Sequence, residues 1–487
     1  MNQGLFITIG YVAFTLYTVG IMLAGIMLEK YTRIDKTVCR KLTHIISAFI
    51  WVICYVFFGC SIHWVILNGV STVALALTIF NKNFSAFGRD DAKNSTGLFY
   101  FALSTFVVAV ICYFLIPELY LYTGIAYYCL ALGDGLAPLT AKAFGKRNKT
   151  IIPGKTVVGT LTVYLVAFLS TLVFSRIFNM GLGVVFILSV AALTCIAEFY
   201  GFRGLDNIFI EFCVFGYLVL YHFGLCALPL QLVLIVSPFL AWLAVGSRSM
   251  SAGAGACAFI LFALTGFFGR DFLPTVFLTV LFATSTAVSI VSKRIMKKQS
   301  CEDESSEPRR ARQIVAVGIF ALLSLAVHYY SGIELFRYIF FLALAEQFAD
   351  SMASDIGRFT KGKNINILTL KPVEKGLSGG VSLLGTLCAL AASFVIMLIP
   401  LLCGEITPTV YVVISLLAFF GTVIDSVAGT LVQALYRCTE CGKKVEKPIH
   451  CGKEADLIKG FRLIDNTAVN YIAGFLTCVL GCLLLLF

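Results

Sequence analysis

The strongest constraint in this sequence is the spacing of its apolar runs. Uncharged segments of about 18–25 residues recur along a chain of 487 residues, and that length crosses the hydrocarbon of a bilayer as an α-helix. Composition agrees. Some 59% of the residues are apolar and 13% charged, whereas a soluble domain is about a quarter charged; mean hydropathy is +0.93. In lipid every backbone polar group must be satisfied internally, which leaves helices or closed barrels. The short alternating strands of a barrel are absent, so the chain reads as an all-α polytopic membrane protein. About sixteen spans are expected, centred near residues 16, 50, 71, 107, 130, 167, 192, 215, 237, 260, 281, 322, 344, 390, 420 and 477.

Lys and Arg gather in alternate connections, among them 30–41, 82–93, 142–155, 293–312, 358–375 and 437–462. About sixteen spans place all of these on one side, the cytoplasmic face, with both termini outside. The net charge of +11 therefore reads as topology rather than as nucleic-acid binding, although an anionic cytosolic substrate would use the same residues. Most of the 17 cysteines lie inside apolar runs, as small buried hydrophobes rather than a disulfide framework. No basic segment precedes the first apolar run, Gly4–Leu28, so a cleavable signal is not expected. The expected location is a bacterial cell membrane, with the polar residues facing the cytoplasm.

Polar residues inside the runs repeat. "LGDGLAPLTAKAFGKRNKTIIPGKTVVGT" in the first half is echoed by "FADSMASDIGRFTKGKNINILTLKPVEKGLSGGVSLLGT" in the second. Asp134 pairs with Asp350, Lys155 with Lys375 and Gly159 with Gly379. Downstream, Glu198 matches Asp425, and Asp206-Asn207 matches Asp465-Asn466. The offset is about eight spans, and an even offset preserves orientation. The chain is thus expected to form two parallel, distantly homologous eight-helix units, residues 1–225 and 226–487.

A carboxylate within a span costs a few kcal/mol unless it faces a polar cleft and meets a cation. Carboxylates suit Mg²⁺, which keeps waters and phosphate oxygens as its remaining ligands. Carboxylates beside Lys and Gly-rich backbone suit a nucleotide polyphosphate. The chain has no GxxxxGK[ST] motif, so phosphate binding would rest on metal-holding acids and basic loops. Asp134, Glu198, Asp350 and Asp425 are the candidate Mg²⁺ ligands. Single acids of this kind also serve as structural ion pairs, and ion-coupled transporters place theirs near the midplane.

The motifs resemble two known families. "RKLTH" (40–44), "NSTGLFYF" (94–101), "ALGDGLAPLTAKAFGK", "PGKTVVGTL" and "AEFYGFRGLDN" (197–207) are similar to the phytol kinase and dolichol kinase family of polyprenol kinases, which is related to phosphatidate cytidylyltransferases. "RRARQIVAVG" (309–318), "ADSMASDIG", "KGLSGGVSLLGT", "DSVAGTLVQALYRCTECG" and "NTAVNYIAG" resemble the family of phytyl-phosphate kinase and transmembrane protein 19. The resemblance implies phosphorylation of an isoprenoid alcohol to the monophosphate and then the diphosphate, with CTP or ATP as donor and Mg²⁺. The implied catalytic residues are Asp134, Lys155 and Asp206 in the first half, and Asp350, Asp355, Lys375 and Asp425 in the second. Nucleotide or acceptor contacts fall to Gly133, Lys146, Gly154, Gly159 and Asn207, and to Arg358, Lys371, Gly379, Gly380, Asn466 and Asn470. Which carboxylate is base and which binds metal stays open. The rival readings are a flippase or transporter for a prenyl-phosphate lipid, and a cytidylyltransferase forming a CDP-lipid.

The polar segment "YRCTECGKKVEKPIHCGK" holds Cys438, Cys441, His450 and Cys451. A CxxC followed by His-Cys supplies four zinc ligands, but adjacent His450 and Cys451 must both turn inward, and free reduced thiols are the alternative. His44 is either an interfacial side chain at a helix end or a contact to a nucleotide or acceptor phosphate.

Overall fold

The computed structural model describes residues 2–32, 34–80, 97–145, 149–201, 204–247, 249–297, 308–360, 364–373 and 377–486. Among the described residues, eleven helices are long and apolar enough to cross a membrane. Each expected span centre falls inside a helix. The chain is an all-α polytopic membrane protein.

It folds as two compact units, Met1–Leu240 and Ala241–Phe487. The first contains α1 (Gln3–Tyr31), α2 (Lys36–Ile46), α3 (Phe49–Phe57), α4 (Ile62–Phe80), α5 (Gly97–Leu115) and α6 (Tyr120–Tyr128). A π-helical turn, Cys129–Asp134, leads into α7 (Gly135–Ala143). The hairpin β1 (Thr150–Ile152) and β2 (Lys155–Thr156) is followed by α8 (Val157–Ile177), α9 (Val184–Tyr200) and α10 (Asp206–His222). The division between the units falls within α11 (Leu228–Gly246). The second unit continues with α12 (Ala252–Gly269), α13 (Phe272–Lys297), α14 (Ala311–Ser331) and α15 (Glu334–Gly357). Strands β3 (Asn364–Asn366), β4 (Pro372–Val373) and β5 (Gly380–Val381) precede α16 (Leu383–Leu402) and α17 (Pro408–Leu431). Strands β6 (Leu435–Arg437), β7 (Lys444–Val445), β8 (Ile449–His450), β9 (Lys453–Glu454) and β10 (Asp456–Lys459) precede α18 (Asn466–Leu485).

The pattern of α8 shows how lipid selects the helix faces. Gly159, Val163, Ala167, Thr171 and Ser175, four residues apart, are buried, while Leu161, Leu165, Leu169, Val173 and Ile177 form an exposed apolar stripe. Exposed apolar stripes would be a liability in water; here they are the surface offered to hydrocarbon chains. In α16 the same spacing buries Gly385, Ala389, Ser393 and Met397. The small residues let neighbouring backbones approach closely. α15 is buried continuously from Ile339 to Ala349, because it packs against α13, α14, α16, α17 and α18. A helix apolar all round belongs in such a centre.

The equivalence of α8 and α16 sets the register of the repeat. Thr156 caps α8 by accepting from Gly159 N–H at 3.2 Å, and Ser382 caps α16 by accepting from Gly385 N–H at 3.1 Å. A Cβ at Gly159 would lie 3.5 Å from the Ala137 carbonyl oxygen, and one at Gly385 3.1 Å from that of Ala353. Ala137 and Ala353 each follow the repeated aspartate by three residues. Gly159 therefore corresponds to Gly385, not to Gly379, and the residue matching Lys155 is Val381 rather than Lys375. Gly379 instead turns the chain in front of β5 with a φ of +77°, where any Cβ would strike the Thr430 hydroxyl.

Candidate functional site

In the first unit α6 and the π-turn carry Asp134 into the interior, where it is 3% exposed. Two side chains of α2 meet it. Lys41 Nζ donates to Asp134 Oδ2 at 2.6 Å, and His44 Nδ1 lies 3.3 Å from the same oxygen. The His44 ring stands edge-on to Phe101 at 4.6 Å, and its Nε2 has no partner among the described residues. The interfacial reading of His44 is not what is seen: the side chain is buried against an acid. The hairpin brings in Lys155, whose Nζ donates to Glu198 Oε1 at 2.5 Å and lies 3.9 Å from Asp206 Oδ2. Asp134 and Asp206 feel each other and both lysines electrostatically. Asn207 donates to the Gly97 carbonyl at 2.8 Å and ties α10 to α5. Gly133 is buried beside Val163, Gly154 turns the hairpin at φ +83°, and Gly159 seats α8. Lys146 lies outside the described residues.

In the second unit α15 and α17 bring Asp350 and Asp425 within electrostatic range of each other, and Glu346, one turn before Asp350, interacts with both. No cation pairs with Asp350 or Asp425 among the described residues. With its amide turned so that the nitrogen faces the acid, Asn470 donates to Asp425 Oδ2 at 3.3 Å and to the Asn466 carbonyl at 2.8 Å. Gln347 donates to Glu346 Oε2 at 2.7 Å, while Glu346 Oε1 is buried and unpartnered among the described residues. Asp355 is buried, near the charge of Arg309. Asp465 caps α18 by accepting from Ala468 N–H at 3.0 Å and pairs with Arg312; Asn466 follows it, exposed. Arg358 and Lys371 are exposed at the ends of the connection between α15 and α16. Gly379 and Gly380 shape that connection, with Gly380 paired to Asn366. Lys375 lies outside the described residues.

Lys41 falls in the motif "RKLTH" but has no role assigned from sequence, and Glu346 and the buried Glu211, which accepts from Ser104 at 2.5 Å and Thr105 at 3.2 Å, are polar interior residues that the sequence motifs do not mark. Lys41 has a signal: it stands three residues before His44 on α2, so both reach one face. The other two sit in apolar helical runs with no repeated counterpart.

Between α17 and α18, Cys438, Cys441, His450 and Cys451 converge, their ligand atoms all within 4.8 Å of one another. N–H groups of the Cys441 and Glu440 backbone, with His450, bring the Cys438 thiol down to about 6.

Similarity to known proteins bears on the second unit. The profile of "Integral membrane protein DUF92" matches residues 235–478, half of the chain. The chain belongs to this family. Its relatives include Protein PGR of Arabidopsis thaliana, 32% identical over 142 residues, covering 27% of this chain and 48% of the plant protein. Protein VTE6, chloroplastic, of the same plant is 28% identical over 192 residues, covering 38% of this chain and 56% of its own. The chain thus spans about half the length of the curated relatives it matches. No solved structure matches.

Proposed function

We propose that this DUF92 protein is a membrane phosphotransferase that phosphorylates an isoprenoid alcohol in its first unit and the resulting isoprenyl monophosphate in its second. The observation that carries the reading is that Asp350 on α15 and Asp425 on α17 lie within electrostatic range of each other, with no cation paired to either among the described residues. Acids gathered in this way call for a cation, and Mg²⁺ with a nucleotide supplies one. Similarity to Protein VTE6, beside the resemblance to phytyl-phosphate kinase, supports a phosphorylated lipid as acceptor for this unit. The resemblance to the phytol and dolichol kinases supports the alcohol as acceptor for the first.

Mg²⁺, when bound, would supply positive charge to stabilise phosphoryl transfer. Asp350 and Asp425 would hold it in the second unit, with Asn470 orienting Asp425, and Arg358 or Lys371 meeting the acceptor phosphate. In the first unit Asp134, Glu198 and Asp206 are the carboxylates. Lys155 and Lys41 are the charges available to a transferred phosphoryl group, released from their acids as the nucleotide arrives. The isoprenoid tail would lie between spans with its head at the polar interface.

Purified chain in detergent, given γ-labelled CTP or ATP and a panel of prenols or prenyl monophosphates, tests this. Label in lipid mono- and diphosphate, abolished by EDTA, is expected. Release of pyrophosphate from CTP with formation of a CDP-lipid would overturn it in favour of the cytidylyltransferase. Transbilayer movement of prenyl phosphate with no new phosphate bond would overturn it in favour of the flippase.

A further inference from the structure

The segment between α17 and α18 is a small folded body with little to hold it together. β6 pairs with both β7 and β10, and β8 pairs with β9. Its buried apolar core is Ala434, Tyr436 and Val445, with Ala455 and Leu457 against them. So small a core does not sustain a fold without a staple.

The four convergent side chains have the shape of one. His450 Nδ1 lies 3.5 Å from Cys441 Sγ and 3.2 Å from Cys451 Sγ. Zn–S bonds of about 2.3 Å and Zn–N bonds of about 2.0–2.1 Å in a tetrahedron set that edge at about 3.6 Å. The cysteines are free thiols, not a disulfide. Cys438–Gly442 forms a tight knuckle: Gly442 N–H donates to the Cys438 carbonyl at 3.0 Å, Gly442 has φ +71°, and the Glu440 and Cys441 amides face the Cys438 sulfur. The second half solves the problem of adjacent ligands. Cys451 adopts φ +51° and Gly452 φ +76°, and this left-handed turn lets His450 and Cys451 face the same point. A non-glycine residue holds that conformation at a cost, which a metal bond offsets. Thiolates with imidazole select zinc over the oxygen-seeking Mg²⁺ and Ca²⁺.

The body also reaches the second site. Glu446, directly after β7, accepts from Ser378 N–H at 2.6 Å, and its charge is felt by Asp425. Ser378 precedes the Gly379 turn that packs beneath Thr430. We infer that Cys438, Cys441, His450 through Nδ1 and Cys451 hold one structural Zn²⁺, and that this zinc folds the ribbon that places Glu446 on Ser378 beside Asp425. The metal site stands without any assumption about activity; the role of Glu446 as a positioning residue rests on the proposed function of the second unit.

Metal analysis of the full chain, purified without chelator, should find one zinc per chain. Cys438→Ser and Cys451→Ser should each lose it, while Cys213→Ser in α10 keeps it. Cobalt exchanged into the wild-type protein should give the intense thiolate charge-transfer and tetrahedral bands. Wild-type protein free of zinc, with these thiols fully reactive or oxidised to a disulfide, overturns the site. Glu446→Ala should retain zinc and raise KM for the nucleotide several-fold in the second reaction, and Glu446→Gln, whose amide oxygen still accepts from Ser378, should restore it. Zinc-loaded Glu446→Ala with unchanged kinetics overturns the coupling alone. Zinc in a wild-type protein that transfers no phosphate overturns the proposed function alone.

Discussion

At the candidate site of the first unit the acids are paired with cations; at that of the second, Asp350, Asp425 and Glu346 interact with one another. Asp134 has Lys41 and His44, and Glu198 has Lys155. At the equivalent positions Asp350 and Asp425 share an interior with Glu346, and Val381 stands where the first unit has Lys155. The scaffold around these acids is the same: a central helix bearing the aspartate, a short strand, a hydroxyl cap, and a helix whose small residues press against the one before. What differs is who supplies the positive charge. The attraction within a buried ion pair need not repay its desolvation, but removing one partner leaves the other charge buried and uncompensated. Acids drawn inward without a cation are costly to keep charged, and among the described residues none is paired with Asp350 or Asp425. Among the described residues, the acids of the first site have cations of this chain beside them, and Asp350 and Asp425 do not.

The largest effect expected from this contrast is separation of the two reactions. Asp134→Asn should abolish conversion of alcohol to monophosphate while supplied monophosphate still becomes diphosphate. Asp350→Asn should do the reverse, so that monophosphate accumulates. Chromatography of labelled lipid products reads both, and loss of both reactions in either variant would replace two sites with one composite site. A smaller effect, in stability, should run the other way. Lys155→Ala leaves Glu198 and Asp206 without their cation and should cost about 3 kcal/mol, seen as a lower midpoint in thermal unfolding in detergent. Asp350→Asn removes a charge that has no paired cation among the described residues and should leave that midpoint unchanged or raise it. Equal destabilisation by both would erase the distinction drawn between the units. The smallest effect concerns what they share. Thr156→Ala and Ser382→Ala each remove a helix cap and should cost about 1 kcal/mol apiece; a clear inequality would break the register that equates α8 with α16.

The membrane helices were legible because hydrocarbon imposes a length and a polarity on any helix that crosses it, although eleven among the described residues, against about sixteen expected spans, are long and apolar enough to cross. The repeated aspartates were legible because an acid within an apolar run is rare and its spacing to the next helix is kept. The register beyond them was not. Lys155 and Lys375 both stand before a glycine at the same distance, and only the caps at Thr156 and Ser382 show which glycine seats a helix. Lys41 stood in the motif "RKLTH", but its role was hidden because its partner Asp134 lies far along the chain, and the link exists only once α2 packs on α7 and the π-turn before it. The cysteine segment showed its four candidate ligands by type and spacing. The turn at Cys451 that makes adjacent ligands workable is a backbone conformation, and nothing in the side-chain pattern announces it.

The π-turn at Cys129–Asp134 bears on how the two units came to differ. α15 passes the corresponding stretch as unbroken α-helix, Glu334–Gly357. An added residue in an ordinary helix swings everything on one side of it by about 100°, which in a bilayer would turn buried faces toward lipid. A wide turn absorbs the addition within itself. Tyr120–Tyr128 and Gly135–Ala143 can therefore each keep the face it presents, and the wall above Asp134 is free to be re-lined over generations without disturbing the carboxylate below. α15 has no such joint, and a change of length there would have to be answered by every helix around it.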